Sequence, residues 1–225
     1  MRVQRTFAFI DLSGFTALTE AQGDEVAVEV LERFRSQVRK TCSRRGVRIA
    51  KWLGDGAMLV GVETKPLLSA ILEIQAAPES AFAPVAVRCG ISRGSVILLE
   101  GDDYIGHAVN VAARLCDLAG PGTVLATPGV VGDVPAWGAA AERDRVAVKG
   151  LEDPLPLVEL ALRPPPADAV EDPVCGLRVW ATVAEARRVV GADGEALFCS
   201  DSCLETWDGR RERSGGGAYA RPPWS

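Results

Sequence analysis

The sequence is organised around residues 7–16, which read Phe7-Ala8-Phe9-Ile10-Asp11-Leu12-Ser13-Gly14-Phe15-Thr16. The apolar run predicts a buried strand that ends at Asp11, and the small residues after it predict a turn into a helix. Free backbone N–H groups at the start of such a helix can hold phosphate, and a carboxylate beside them can hold a metal ion that bridges to it. Alternatively, Asp11 merely caps the helix.

Strand and helix patterns alternate on either side of this stretch as far as residue 162. Predicted strands cover 4–10, 47–52, 57–62, 85–92, 95–99, 123–126 and 155–162, and predicted helices cover about 27–38, 66–76 and 106–118. The strands at 85–92 and 95–99 are expected to form a hairpin, and residues 128–148 give little signal. The order strand–helix–strand–strand–helix–strand predicts a ferredoxin-like α+β core.

Composition excludes several classes of function. The chain has 225 residues, of which 48% are hydrophobic and 24% charged, as in globular proteins. A net charge of −5 argues against a nucleic-acid partner, and a single histidine, His107, excludes a multi-histidine metal centre. Because no apolar run approaches about 18 residues, and the run before Asp11 is too short for a signal peptide, we expect a cytoplasmic protein without a membrane span.

Three consecutive prolines at 164–166 divide the chain. They predict a stiff spacer, so we place a linker at 163–170, between a domain at 1–162 and a small cysteine-containing domain at 171–208. Glycine-rich and proline-rich residues at the end predict a disordered tail at 209–225.

Four further stretches carry polar side chains suited to chemistry. They are Lys51-Trp52-Leu53-Gly54-Asp55-Gly56, Asp102-Asp103-Tyr104-Ile105-Gly106, Val109-Asn110-Val111-Ala112-Ala113-Arg114 and Val146-Ala147-Val148-Lys149-Gly150. Asp55, at a predicted hairpin tip beside the first strand, could complete a two-metal site with Asp11. Asp-Gly is also a common turn, and Lys51 could be a solvated strand end.

Asn110 and Arg114 are four residues apart and therefore share one face of the predicted helix. They are either a pair on the buried side, which needs a polar partner such as a nucleotide, or a partly exposed structural pair. Lys149, next to last in the fourth stretch, does not indicate a function by itself, because a lysine before a turn is usually solvated.

Taken in order, these motifs resemble the catalytic domain of the class III adenylate/guanylate cyclases. The resemblance rests on Phe-x-Asp-x-x-Gly-Phe-Thr, Lys-x-x-Gly-Asp, Asp-x-x-Gly-x-x-Val-Asn-x-Ala-x-Arg and Val-Lys-Gly, and it covers residues 4–162. It implies a palm-type domain with the ferredoxin-like fold. The roles it implies are two metal-binding aspartates (Asp11, Asp55), a metal-assisting backbone carbonyl (Leu12), a triphosphate cradle (Phe15, Thr16), a purine-reading pair (Lys51, Asp103), a ribose-orienting asparagine (Asn110), a transition-state arginine (Arg114) and a lysine for the terminal phosphates (Lys149).

The resemblance also implies a reaction, in which two Mg²⁺ or Mn²⁺ ions assist the conversion of ATP into 3′,5′-cyclic AMP and pyrophosphate. Adenine presents an acceptor at N1 and a donor at N6, which suit Lys51 and Asp103, whereas guanine presents the reverse. We therefore expect ATP rather than GTP. In this family the site lies across a dimer interface, and the chain holds both sets of residues, so we expect a homodimer with two equivalent sites.

A second signal lies in residues 171–208. Cys175 follows Asp172-Pro173-Val174, and Cys199 and Cys203 form a Cys-x₃-Cys pair, so three thiolates could come together around a metal ion. The segment resembles a YHS/TRASH-type domain, which implies zinc or another soft metal. Asp201, water or an effector would fill a fourth position, and the alternative is a metal-free fold with incidental thiols.

Together these features favour an adenylate cyclase whose output is tuned by metal or thiol state at the C-terminal cysteines. The alternative is a catalytically silent cyclase-like dimerisation domain that serves a metal-sensing module. Retention of the principal motif positions favours catalysis.

Overall fold

The computed structural model describes residues 1–77, 81–99, 103–148, 152–190 and 194–213. The chain divides into two compact units, Met1–Leu162 and Arg163–Ser225. Among the described residues, no helix has the length and apolar character needed to cross a membrane.

A sheet of eight strands forms the centre of the N-terminal unit. In chain order the strands are β1 (Arg2–Ser13), β2 (Arg48–Leu53), β3 (Gly56–Gly61), β4 (Ala86–Leu98), β5 (Tyr104–Ile105), β6 (Val124–Ala126), β7 (Gly138–Val146) and β8 (Leu155–Leu162). Their spatial order is β2-β3-β1-β4-β6-β8-β7, with β5 paired to β4. β4 and β6 are parallel, whereas β1 is antiparallel to both of its neighbours.

Four α-helices accompany this sheet: α1 (Phe15–Gln22), α2 (Asp24–Arg44), α3 (Thr64–Gln75) and α4 (His107–Leu118). α4 lies so close to β4 that a Cβ atom on Gly90 would sit 2.1 Å from the backbone nitrogen of Cys116. The mixed sheet and its helices confirm the predicted ferredoxin-like α+β core.

The predicted hairpin at 85–92 and 95–99 is wrong, because β4 is one strand of 13 residues that pairs with β1 from Arg2 to Ser13. Gly94, which lies between the two predicted strands, allows a close approach: a Cβ atom there would lie 2.9 Å from the Cβ of Ala108 on α4. The weakly patterned residues 128–148 contain a 3-10 helix (Pro128–Asp133) and β7.

A buried ion cluster fixes α2 against α3. Glu73 is 3% exposed and accepts hydrogen bonds from the Thr41 hydroxyl at 2.9 Å and from Arg45 Nε at 2.7 Å. Arg44 also pairs with this carboxylate. Because breaking a buried ion pair is strongly unfavourable, the cluster holds α2 in one position.

The described part of the C-terminal unit contains four short strands and one helix: β9 (Val170–Glu171), β10 (Arg178–Val179), β11 (Ala186–Val190), β12 (Gly194–Phe198) and α5 (Asp201–Arg213). β9 pairs with β10 and β11 with β12, both antiparallel. The prediction of disorder from residue 209 is wrong for residues 209–213, which form the last turn of α5. The positive charges of the arginines in this turn interact favourably with the negative end of the helix dipole. Residues 214–225 lie outside the described residues.

Candidate functional site

The structure brings Asp11 and Asp55 together at one end of the sheet. Asp11 lies near the end of β1, and Asp55 lies in the turn between β2 and β3. That turn presses against β1, since a Cβ atom on Gly56 would lie 2.5 Å from the Ile10 carbonyl oxygen and 3.1 Å from Asp11 Oδ1. Glycine at position 56 therefore allows the carboxylate-bearing turn to approach the carboxylate-bearing strand.

The electrostatics at this end of the sheet reflect two neighbouring carboxylates. Burial raises the pKa of Asp55, and the negative charge of Asp11 raises it further. Its own backbone N–H and the positive charge of Arg88 act in the opposite direction. A cation placed between these carboxylates would relieve their repulsion, as expected for a metal site.

Arg88 is a residue of this site that the sequence analysis missed. It faces Asp11 across the β1–β4 pairing and donates to Asp11 Oδ2 from Nε at 2.8 Å and from Nη2 at 2.6 Å. Its Nη1 also donates to the carbonyl oxygen of Asp117 on α4, at 3.3 Å. A charged residue within the otherwise apolar pattern of residues 85–92 was the signal that could have identified it.

The first turn of α1 has no side-chain cap. Its N-cap is Gly14, which has a left-handed backbone with φ of 88°, and no side chain caps the helix. Asp11 therefore does not serve as the cap, which excludes the simplest alternative role for it. Phe15 and Thr16 open the helix, and the roles of their backbone N–H groups and of the Leu12 carbonyl stay predictions.

Lys51 and Asp103 form an ion pair although 52 residues separate them in the sequence. Lys51 Nζ donates to Asp103 Oδ1 at 2.7 Å, and the side chains are 50% and 49% exposed. The hydrogen bond from Lys51 lowers the pKa of Asp103. The structure thus joins the two residues that sequence analysis paired, and leaves a donor and an acceptor side by side facing solvent.

Asn110 and Arg114 are both exposed on α4. The buried face of that helix consists of other residues: Ala108, Val111, Ala112, Leu115 and Cys116. The interpretation of Asn110 and Arg114 as a buried-side pair is therefore wrong, although the prediction of a shared face follows from their spacing. Lys149 lies outside the described residues.

Three cysteines converge in the C-terminal unit. The sulfur of Cys199 lies 3.5 Å from that of Cys175 and 3.6 Å from that of Cys203, and none of these three described cysteines is in a disulfide. Three sulfurs bound tetrahedrally to zinc at 2.3 Å would be about 3.8 Å apart, so the observed spacing is close to that of a metal site. Hydrogen bonds with the thiols of Cys199 and Cys203, together with burial, raise the pKa of Cys175.

Asp172 completes this cluster, and sequence analysis did not predict it. One of its carboxylate oxygens and the three sulfurs all lie within 4.8 Å of one another. Its carboxylate also accepts hydrogen bonds from the backbone N–H groups of Val174 and Cys199, both at 2.8 Å. Burial raises its pKa to about 6. The carboxylate beside the sulfurs is thus Asp172 rather than Asp201, which is exposed at the start of α5.

Comparison with curated sequences identifies several relatives of this chain. The chain is 35% identical over 161 residues to an uncharacterized protein of Mycobacterium tuberculosis, an alignment that covers 72% of this chain and 42% of that protein. It is 32% identical over 155 residues to a pH-sensitive adenylate cyclase of the same species, covering 65% of this chain and 38% of that enzyme. The chain thus spans about two fifths of the length of these relatives, and no family model matches it.

Comparison with solved structures concerns the fold. The crystal structure of the adenylyl cyclase CyaB from P. aeruginosa matches with a TM-score of 0.65 and 23% sequence identity. The match covers 73% of this chain and 96% of the CyaB chain. The N-terminal unit therefore has the fold of that domain.

Proposed function

We propose, from the premise that the N-terminal unit is a class III adenylate/guanylate cyclase domain, that this chain converts ATP into 3′,5′-cyclic AMP and pyrophosphate. The observation that carries the proposal is the convergence of Asp55 with Asp11, which precedes the uncapped first turn of α1 in the sequence. Carboxylates and free backbone N–H groups are what a metal-bound triphosphate requires.

The donor set at this site fits a divalent cation. Asp11 and Asp55 supply carboxylate oxygens, which hard ions such as Mg²⁺ and Mn²⁺ prefer, and repulsion between the two side chains favours binding. When bound, two such ions would acidify the ribose 3′-hydroxyl and neutralise the triphosphate. Before a metal ion binds, the negative charge of Asp11 is balanced by its ion pair with the Arg88 guanidinium.

The other side chains of the unit bind and orient the substrate in this proposal. Lys51 donates to adenine N1 and Asp103 accepts from the N6 amino group, an assignment supported by the position of each beside the other. Asn110 orients the ribose, and Arg114 opposes the negative charge that develops on the α-phosphoryl oxygens. Lys149 would hold the terminal phosphates.

We also propose that the site is shared between two copies of the chain. Asn110 and Arg114 are exposed on α4, so they are available to a second copy. A two-fold dimer would place the metal-binding set of each copy opposite the base-reading and cationic set of the other. Each dimer would then contain two equivalent sites.

A product assay tests the proposed reaction. Purified chain incubated with ATP and Mn²⁺ is expected to form cyclic AMP and pyrophosphate in equal amounts, with far less cyclic product from GTP. Asp55→Asn is expected to lose activity by a factor on the order of 1,000, since it removes charge from a metal site. Absence of cyclic product would support the catalytically silent alternative, which adenylate cyclase relatives do not favour. Activity in Asp55→Asn equal to that of the wild type would exclude Asp55 from the metal site.

The C-terminal cluster supports a second proposal, that Cys175, Cys199 and Cys203 bind zinc or another soft metal with Asp172 beside them. Three sulfur atoms, with that of Cys199 at 3.5 Å and 3.6 Å from the other two, and the buried carboxylate of Asp172 form the type of donor set that takes thiophilic ions. We propose further that metal or thiol state at this cluster tunes the cyclase.

Replacing all three cysteines with serine is expected to abolish zinc binding by purified chain and to remove any response of cyclic AMP production to zinc or oxidant. The measurements are zinc content after dialysis and initial rate with and without zinc. Cys42→Ser, which changes a buried cysteine of the N-terminal unit, is the control. Unchanged zinc content in the triple variant would refute the metal site, and an unchanged response would refute the tuning.

A further inference from the structure

We propose that Arg35 of α2 is a positioning residue that holds the carboxylate of Asp55 in place for the metal ion, an inference that rests on the proposed function. Arg35 Nη2 donates a hydrogen bond of 2.8 Å to the carbonyl oxygen of Gly54. Neither the motifs nor the resemblance identified this residue. It acts on the turn between β2 and β3 from outside the sheet.

The bonded carbonyl belongs to the peptide unit that joins Gly54 to Asp55. The N–H of the same unit is the backbone donor that hydrogen-bonds to the Asp55 carboxylate. Because a peptide unit is planar, fixing the direction of its carbonyl also fixes the direction of its N–H. Arg35 thus sets the orientation of the group that orients the metal-binding carboxylate.

This turn needs support from outside the sheet. β2 is the outermost strand on its side, so among the strands that the structure describes it pairs only with β3. Gly54 has φ of 64°, a left-handed conformation that glycine adopts readily. Because glycine has no Cβ atom, it restrains the backbone of this turn less than another residue would. α2, which the Glu73 cluster holds in place, supplies the missing support through Arg35.

The Arg35 side chain is itself held by an aromatic ring. Its guanidinium carbon lies 5.2 Å from the centroid of Trp52, which is on β2 three residues before Asp55. Arg39 lies 5.1 Å from the same ring but makes no hydrogen bond to the turn. Arg39 therefore shares the stacking of Arg35 without sharing its bond to Gly54, which makes it a matched control.

Arg35 bonds to the neutral backbone carbonyl of Gly54. The effect of replacing Arg35 should therefore be on how well Asp55 is oriented, with little effect on the charge of its carboxylate.

Mn²⁺ binding to the full chain tests the inference, measured by the loss of the free-ion signal in electron paramagnetic resonance. Arg35→Met is expected to raise the Mn²⁺ dissociation constant about fivefold, the size expected from the loss of one hydrogen bond. Arg39→Met should bind as the wild type does, and Arg35→Lys, which keeps a donor, should fall between them. The Mn²⁺ concentration for half-maximal cyclic AMP production should shift in parallel, while kcat at saturating Mn²⁺ stays near the wild-type value.

Equal shifts in Arg35→Met and Arg39→Met would overturn the inference, because stacking on Trp52 would then be the cause. Unchanged binding in Arg35→Met, or no measurable Mn²⁺ binding by the wild type, would also overturn it. A melting temperature equal to that of the wild type shows that each variant is folded. If the wild type binds Mn²⁺ but makes no cyclic AMP, the proposed function fails while the binding comparison still decides the role of Arg35.

Discussion

A chain that carries Lys51→Glu together with Asp103→Lys is expected to prefer GTP to ATP. Lys51 and Asp103 form a hydrogen-bonded pair at 2.7 Å, and the double replacement reverses which member donates and which accepts. Guanine presents a donor at N1 and an acceptor at O6, so the reversed pair matches it. Adenine would then face a carboxylate at its N1 acceptor and an ammonium at its N6 donor.

The expected change is large because a mismatched base leaves two polar groups without partners. The ratio of kcat/KM for ATP to kcat/KM for GTP should fall by a factor on the order of 100. Initial rates of cyclic AMP and cyclic GMP formation measure it. The control is the reversed pair Arg93→Asp with Asp133→Arg, because this ion pair has similar exposure and a distance of 3.1 Å. An ATP preference that survives in the Lys51 and Asp103 double variant would exclude these residues from reading the base.

The fold was predictable because its elements have strong local signals. The apolar run of β1, the Gly-Asp-Gly turn after β2 and the apolar face of α4 each follow from short-range patterns. The hairpin prediction at 85–99 failed because a glycine can either form a turn or allow two backbones to approach closely. Gly94 lies where α4 approaches β4, and a sequence does not distinguish a close approach from a turn.

The site was predictable only in part. Asp11 and Asp55 each end or follow a strand, so sequence order placed them together, and their metal-binding role stays a prediction. Arg88 and Asp172 were missed because their partners lie far along the chain: Arg88 bonds to Asp11 across 77 residues, and Asp172 bonds to Cys199 across 27. The exposure of Asn110 and Arg114 could not be inferred from helical spacing alone, which gives a shared face but not its direction.

Co-expression of Asp11→Asn and Arg114→Ala chains is expected to restore a cyclase activity that neither variant has alone. Each single variant should lose activity by a factor on the order of 1,000, because one lacks the carboxylate proposed to bind metal and the other lacks the cation proposed to oppose developing charge. In a mixed dimer, one site contains both substitutions and the other contains neither. The purified mixed dimer should therefore have about half of the wild-type activity.

Different affinity tags on the two chains allow the mixed dimer to be isolated by two successive purifications. A mixed dimer of Asp11→Asn with Asp55→Asn is the control, because both substitutions lie in the metal-binding set and every site would be defective.

The rate of cyclic AMP formation by the doubly purified Asp11→Asn and Arg114→Ala dimer is the most direct test of a site built from two copies of this chain. A shared site predicts about half of the wild-type rate for this dimer and no measurable cyclic AMP formation by the Asp11→Asn and Asp55→Asn dimer. A mixed dimer as inactive as its parents, or failure of the two chains to purify together, would contradict it.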